Sequence, residues 1–186
     1  MNPAHLDVCA SEEWATVVRD EIVPWVLDGI ELGDHVLEIG PGPGRTTDVI
    51  HHLVERLTVV ELDEDLAAAL ADRFAGTHVS VVRGDAAALD VADGTFTAAL
   101  SFSMLHHVPT PELQDRVLTE MARAVRPGGV LAGEDSLPSE DLRAFHEGDT
   151  YVPLDPASLP DRLVAAGWRE VEVVTNEYAT RFRGRA

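Results

Sequence analysis

The sequence of 186 residues predicts a single α/β domain with a doubly wound, mostly parallel sheet and helices on both faces. Three observations support this fold class. Short apolar runs alternate with amphipathic helical patterns along most of the chain. The first apolar run ends in a turn of glycine and proline, as is typical of the carboxyl end of a strand in an open α/β sheet. The last two runs have no helical pattern between them, which predicts a hairpin with an antiparallel edge strand.

The individual elements follow from local patterns. Helix starts are predicted at Asp63 and Thr110, because each side chain can accept a hydrogen bond from an N–H group of the following turn. Pro24 is expected to kink or end the first helix, which precedes all strands. The later helices are predicted over residues 45–56, 63–75, 110–127 and 155–168. The strands are predicted over residues 35–40, 57–62, 78–85, 96–103 and 129–135, with two more within 169–183.

Charge and cysteine content exclude several classes of function. The formal net charge is −19, from 33 acidic and 14 basic residues. Such a surface repels phosphate backbones, so no nucleic-acid partner is expected. The single cysteine, Cys9, allows no intrachain disulfide, and no metal site is predicted. The N-terminus lacks a signal-peptide pattern and no apolar run approaches the roughly 20 residues of a membrane span, so we expect a soluble, cytoplasmic protein without membrane partners.

The stretch VLEIGPGPGRTT, from Val36 to Thr47, raises the question of which ligand approaches its backbone. Its glycines follow the spacing G-x-G-x-G, whereas the dinucleotide fingerprint G-x-G-x-x-G would need a glycine where Arg45 stands. Glu38 lies two residues before Gly40. A carboxylate there would repel a pyrophosphate but suits a ligand with a positive centre. The turn therefore favours a cationic ligand over a dinucleotide.

Two further carboxylates narrow the choice of ligand. Glu61 ends the second strand about 20 residues after Gly40, where a carboxylate typically accepts hydrogen bonds from ribose hydroxyls. Asp85 follows the third strand and can accept a hydrogen bond from an adenine amino group. Simpler roles stay open, with Glu61 as an acid at a helix start and Asp85 as a turn residue. A ribose, an adenine and a positive centre without phosphate describe S-adenosylmethionine.

Five segments occur in the order and spacing of one enzyme family, namely VLEIGPGPGRTT, VVELDEDL, GDA, FTAALSFSMLHHV and ARAVRPGGVL. On these segments the chain resembles the class I S-adenosylmethionine-dependent methyltransferases, in the small-molecule branch that carries an LHHV segment. The resemblance implies a Rossmann-like sheet of seven strands, with S-adenosylmethionine as cofactor and S-adenosylhomocysteine as product. The cofactor-binding residues that it implies are Gly40, Pro41, Gly42 and Gly44 at the methionine portion, Glu61 at the ribose, Leu62, Asp85 and Ala86 at the adenine, Ser101 near the methionine end, Thr46 at the carboxylate, and Glu38 at the amino group or behind it.

The resemblance also divides the domain into parts. Residues 1–30 are expected to form an N-terminal helical lid, 34–135 the cofactor-binding core, 136–155 a loop on the substrate side, and 156–186 a C-terminal helix and strand hairpin. The acceptor pocket must then be built from the lid, the segment after the fourth strand and the substrate-side loop. Such a pocket is either shallow or completed by a second subunit in a homodimer.

The predicted reaction is direct displacement, in which an oxygen, nitrogen or carbon atom of a small molecule takes the methyl group of the sulfonium. A histidine suits removal of a proton from the acceptor. His106 or His107 is predicted as this general base, oriented by Asp135, and a structural role for the histidines is the alternative. The alternative function is an S-adenosylmethionine-binding protein that does not methylate, either a binding module or a cyclase-type enzyme. Four residues near the expected pocket have no assigned role: His5, Cys9, Trp14 and His146.

Overall fold

A computed structural model describes residues 2–186 and shows one sheet of seven strands. The strands are β1 (His35–Ile39), β2 (Arg56–Glu61), β3 (Val79–Arg83), β4 (Phe96–Phe102), β5 (Val125–Ser136), β6 (Arg169–Thr175) and β7 (Ala179–Arg185). Their order is β3-β2-β1-β4-β5-β7-β6. Strands β1 to β5 are parallel, whereas β7 runs antiparallel to both β5 and β6. The predicted fold class is therefore confirmed, and strand order reverses between β1 and β4.

The helices differ most from the prediction in two places, and α6 and α8 are shorter than predicted. They are α1 (Pro3–Cys9), α2 (Glu12–Val17), α3 (Val23–Leu27), α4 (Thr47–Ile50), α5 (Glu64–Arg73), α6 (Pro111–Ala124), α7 (Glu140–Phe145) and α8 (Leu159–Ala165). The helix predicted over 45–56 is only the short α4, which is rich in β-branched residues that form helices poorly. Residues 136–155, predicted as a loop, contain α7, whose N-cap Ser139 accepts a hydrogen bond from Leu142 N. No helix within residues 2–186 is long and apolar enough to cross a membrane.

Pro24 and both predicted helix starts act as expected. A π-helical turn over Val18–Ile22 separates α2 from α3, and Pro24 lies in the first turn of α3. The missing proline N–H thus coincides with a break in the regular helix. The side chain of Asp63 accepts hydrogen bonds from the first turn of α5, and the side chain of Thr110 accepts one from Leu113 N at the start of α6.

Alternating side chains of the central strands build a core on each face of the sheet. On one face, Leu37 and Ile39 belong to a cluster that includes residues of α6 and α8. On the other face, Val36 belongs to a cluster with residues of α3, α5 and the π-helical turn. Glu38 lies on this second face, directly behind the glycine turn, and it is buried. Because side chains alternate between the two faces of β1, the carboxylate of Glu38 lies on the face behind the turn.

Strand β7 lies between β5 and β6, so its arginines are not on an outer edge of the sheet. The side chains of Arg181 and Arg183 are only 13% and 19% exposed. Arg181 Nη1 donates a hydrogen bond of 2.9 Å to Trp25 O. This bond fastens the N-terminal helices to the sheet.

Candidate functional site

The glycine turn between β1 and α4 has a backbone that only glycine adopts readily. Gly40, Gly42 and Gly44 have φ values of +58°, +54° and +81°. A Cβ atom on Gly40 would collide with the side chain of Met104, which lies directly against the turn. The turn therefore combines left-handed backbone with a close approach of neighbouring atoms, as a loop that cradles a ligand requires.

The adenosine-side residues predicted from the sequence lie together at the ends of β2 and β3. Glu61 is buried, and its two carboxylate oxygens accept hydrogen bonds of 2.9 Å from Gly42 N and Asp63 N. Leu62 is 68% exposed, so it is not part of the core. Asp85 is exposed and its Oδ1 accepts a bond of 2.8 Å from Ala87 N. Ala86, next to Asp85, is half-buried.

Glu38 stabilises the start of α4 from behind the turn. Its two carboxylate oxygens accept hydrogen bonds from the hydroxyls of Thr46 and Thr47, the second at 2.7 Å. The Thr46 hydroxyl, predicted to reach a ligand carboxylate, therefore donates to Glu38, although Thr46 also lines the neighbouring cavity. Burial raises the pKa of Glu38 to about 7, and the two hydroxyl donors oppose this rise.

We expect replacement of Glu38 by glutamine to change how stability depends on pH. Because the pKa of Glu38 is about 7 in the folded state and 4.5 for a glutamate in water, the stabilisation from Glu38 is full below pH 4.5 and is lost as pH rises towards 7. Relative to wild type, Glu38→Gln should gain on the order of 3 kcal/mol in unfolding free energy over this interval. Urea denaturation at several pH values measures the difference, and a difference independent of pH would contradict the expectation.

A cavity of about 300 Å³ lies beside the glycine turn. Its walls come from the turn, the ends of β4 and β5, and the covering helices α1, α2 and α7. Residues that line it include His5, Cys9, Trp14, Pro41, Gly42, Thr46, Ser103, Met104, His106, His107, Glu134, Phe145 and His146. The expected lid and substrate-side segments thus both border the cavity. Ser101, in contrast, is fully buried in β4 and is not part of the lining.

The covering segments are joined by Asn2. Its side-chain nitrogen donates a hydrogen bond of 3.1 Å to Phe145 O, and its backbone nitrogen donates one of 2.8 Å to Asp149 Oδ2. Asn2 Oδ1 also accepts a bond of 2.9 Å from His5 N, which caps α1. The start of α1 is therefore fixed to the segment that follows α7.

His106 and Asp135 form a buried pair at the edge of this cavity. His106 Nδ1 lies 2.7 Å from Asp135 Oδ1, and the backbone N–H of His106 donates to Asp135 Oδ2 at 3.3 Å. Burial opposes the charged imidazolium, but the carboxylate of Asp135 outweighs it and raises the pKa of His106. Within residues 2–186, Nε2 of His106 is buried without a hydrogen-bond partner. The structure thus brings Asp135 to His106 rather than to His107.

Three further histidines surround the pair. The ring of His107 lies 5.0 Å from that of His5 and 5.2 Å from that of His146, between ring centroids. Burial, reinforced by neighbouring histidines, lowers the pKa of His107 to about 3 and that of His5 to about 4. Burial also lowers the pKa of His146. These imidazoles are therefore neutral at pH 7, and burial raises the pKa of the nearby Cys9 thiol to about 11.

Ser103 is a site residue that sequence reasoning missed. It has a φ of +46°, which is strained for a residue other than glycine. Its hydroxyl donates a bond of 2.6 Å to Glu134 Oε1, and its backbone N–H donates one of 3.0 Å to Glu134 O. Burial, with the charge of Asp135, raises the pKa of Glu134 to about 7. Nothing in the local sequence distinguishes this serine from Ser101, so only the folded backbone reveals it.

The residues present fit S-adenosylmethionine better than a dinucleotide. The carboxylate of Glu61 is bonded directly to the glycine turn, and a second carboxylate, Glu38, is buried behind it. The turn borders a cavity, and the place that a Cβ on Gly40 would occupy is already filled by Met104. Two carboxylates beside the turn suit a ribose and a cationic amino acid, and they disfavour a pyrophosphate.

Comparisons with known proteins point to one family. Residues 37–133, slightly more than half of the chain, match the family described as methyltransferase domain. A probable ribosomal RNA small subunit methyltransferase A from Haloarcula marismortui is 42% identical over 108 residues, which cover 55% of this chain and 36% of that relative. The chain thus spans about a third of the length of this curated relative.

Solved structures share the whole fold at low sequence identity. A SAM-dependent methyltransferase from Aquifex aeolicus aligns with a TM-score of 0.76 at 16% identity, covering 99% of this chain and 98% of that one. The [4+2]-cyclase SpnF aligns with a TM-score of 0.72 at 18% identity, covering 89% of this chain and 80% of that one. At such identities these alignments establish the fold alone.

Proposed function

Since the chain belongs to the methyltransferase domain family of class I S-adenosylmethionine-dependent enzymes, we propose that it methylates an oxygen, nitrogen or carbon atom of a small molecule. The observation that carries the proposal is that one cavity is bordered by the glycine turn on one side and by His106 and His107, which follow β4, on the other. Donor and acceptor would meet in that cavity. Its volume of about 300 Å³ suits a small ligand.

The protein's contribution to the reaction is chiefly position. When bound, S-adenosylmethionine supplies an activated methyl group on a sulfonium, whose carbon–sulfur electron pair returns to sulfur on transfer. The turn at Gly40 and Gly42 would hold the donor, and Glu61 would hold its ribose. Met104 and the covering helices would align the acceptor and exclude water. Alignment of two reactants can contribute roughly 7–11 kcal/mol to the lowering of a barrier.

His106 is the better of the two candidate bases. Asp135 binds Nδ1 of His106 at 2.7 Å, which directs the proton to that nitrogen and leaves Nε2 as the acceptor. In the part of the chain that the structure describes, Nε2 is without a hydrogen-bond partner, and His106 lines the cavity. In the proposed reaction Nε2 takes the proton that a hydroxyl or amine acceptor loses. Asp135 is then a positioning residue.

The net charge of the chain and the enclosure of the cavity both support a small molecule as the methyl acceptor. A chain of net charge −19 repels a ribosomal RNA, although relatives that match part of the sequence are named for that substrate. The segment SFSM after β4 also lacks the Asn/Asp-Pro-Pro-aromatic motif typical of enzymes that methylate nucleic-acid amines. Helices α1, α2 and α7 cover the cavity, which limits the size of an acceptor.

Transfer of a radiolabelled methyl group tests this function. The protein is incubated with methyl-tritiated S-adenosylmethionine and either pools of small hydroxyl, amine and carbon nucleophiles or purified small ribosomal subunits. Label in a small-molecule pool supports the proposal. Label only in ribosomal RNA would overturn the acceptor class. Tight cofactor binding with no transfer to any pool would favour the non-methylating alternative.

For an oxygen or nitrogen acceptor, we expect His106→Ala to lower kcat by about 10²–10⁴ while the affinity for S-adenosylmethionine changes little. Asp135→Asn should also lower kcat, because an asparagine no longer fixes the tautomer of His106. His52→Ala, at an exposed histidine outside the cavity, is the matched control. Near-normal kcat in folded His106→Ala would assign the histidine a structural role.

A further inference from the structure

Three histidines from distant parts of the sequence converge on one wall of the cavity. His5 belongs to α1, His107 to the 3₁₀ turn after β4, and His146 follows α7. Each offers one ring nitrogen, and the three nitrogens all lie within 4.8 Å of one another. A tetrahedral ion with Zn–N bonds of about 2.0–2.1 Å holds its nitrogens about 3.4 Å apart. Modest side-chain rotations would therefore bring these nitrogens into coordination distance.

We propose that His5, His107 and His146 bind one divalent transition-metal ion, with Zn²⁺ as the best candidate. This site goes beyond methyl transfer and does not depend on it. Three imidazoles without a thiolate suit Zn²⁺ and its neighbours Co²⁺, Ni²⁺ and Cu²⁺, whereas Mg²⁺ and Ca²⁺ prefer oxygen ligands. Three protein ligands also leave one coordination position directed away from the histidines, as in zinc sites that bind a further ligand.

A hydrogen bond on the far side of the His146 ring resembles those of metal-binding histidines. His146 Nδ1 lies 2.6 Å from Leu142 O, so it carries the proton, and Nε2 presents its lone pair. That Nε2 is buried without a hydrogen-bond partner among residues 2–186. His5 Nδ1 lies 3.6 Å from Asp149 Oδ2, which is beyond hydrogen-bond distance but places a carboxylate beside that ring. Metal-binding histidines commonly donate their second ring N–H to a carbonyl, as His146 does.

The surroundings favour a cation at this place. Three carboxylates lie around the cluster, because Asp149 approaches His5, Asp135 binds the adjacent His106, and Glu134 lines the same cavity. A buried ring nitrogen without a partner among residues 2–186, such as His146 Nε2, is uncommon in folded proteins, and a bound ion would satisfy it. The ion would also tie α1, the 3₁₀ turn and the end of α7 together.

Metal titration of tag-free protein tests the proposal. After removal of metals by a chelator and dialysis, Zn²⁺ is titrated by calorimetry and Co²⁺ by visible absorption, which reports a site of low coordination number. We expect one ion per chain. His5→Ala, His107→Ala and His146→Ala should each weaken binding by at least about 100-fold, whereas the matched control His52→Ala should bind as wild type does.

Folding and function are measured separately. Circular dichroism and thermal unfolding without metal establish that each variant is folded, and His146→Gln provides a second, conservative variant at one ligand. Titration with S-adenosylmethionine shows whether the methyl-donor site persists when metal binding is lost. Absence of stoichiometric Zn²⁺ or Co²⁺ binding in wild type would overturn the proposal. Binding that persists in folded His107→Ala and His146→Ala would overturn it equally.

Discussion

Replacement of Glu61 by alanine should weaken binding of S-adenosylmethionine and S-adenosylhomocysteine by about 100-fold or more. In the proposed site the carboxylate would accept hydrogen bonds from ribose hydroxyls, and hydrogen bonds to a charged group contribute about 1.5–3 kcal/mol each. It also accepts bonds of 2.9 Å from Gly42 N and Asp63 N, so its loss releases the glycine turn. Calorimetric titration of wild type and variant with both adenosyl ligands measures the effect.

Two matched variants separate ribose binding from local support. Asp63→Ala removes the N-cap of α5 and should cost about 1 kcal/mol of stability while leaving the cofactor dissociation constant within a few-fold of wild type. Glu61→Gln keeps one acceptor oxygen and should give an intermediate affinity. NAD should not bind to wild type at all. Binding of NAD, or unchanged affinity for S-adenosylmethionine in Glu61→Ala, would refute the assignment of this site.

Replacement of Trp168 by alanine should destabilise the protein by about 3–5 kcal/mol. Trp168 is 1% exposed and belongs to the core cluster that contains residues of α6 and α8. Its Nε1 donates a hydrogen bond of 3.1 Å to Leu118 O, so the ring connects the end of α8 to α6. The loss is a large part of the 5–15 kcal/mol by which domains are typically stable. Urea denaturation monitored by far-ultraviolet circular dichroism gives the value.

A second substitution divides this effect into packing and hydrogen bonding. Trp168→Phe keeps most of the apolar volume but loses the indole donor, and it should cost about 1–2 kcal/mol. The midpoint should fall in both variants while the denaturant slope stays constant. A loss below about 1 kcal/mol in Trp168→Ala would show that the core collapses around the deleted ring, contrary to our expectation.

The fold and the places of Glu61 and Asp85 at strand ends could be predicted from the sequence because their signals are local. A buried strand followed by a glycine turn defines its own structure, and periodicity reveals the strand that Glu61 ends and the strand that Asp85 follows. Because the carboxyl ends of parallel strands meet at one edge of a sheet, the predicted strands are enough to place both carboxylates at that edge. The four-residue α4 and the helix α7 were mispredicted for a related reason. Each is short, so its boundaries depend on tertiary contacts more than on helical periodicity.

The acceptor side depends on contacts between distant residues, which the sequence alone does not display. His5, His107 and His146 have no spacing in common, and only the closure of α1 and α7 over the sheet brings them together. The sequence also could not show which of the neighbouring residues His106 and His107 is the better candidate base. That choice depends on which of the two rings the 3₁₀ turn directs towards Asp135.

The bonds that join Asn2 to the segment after α7 have a consequence for the order of folding. The bond from Asn2 N to Asp149 links residues 147 apart in sequence, so it closes a very long loop. Pairing of β1 with β2 and of β2 with β3 closes much shorter loops and should precede it. We therefore expect a refolding chain to present its glycine turn to solvent first. The cavity beside the glycine turn would be enclosed last, when the start of α1 docks against the segment that follows α7.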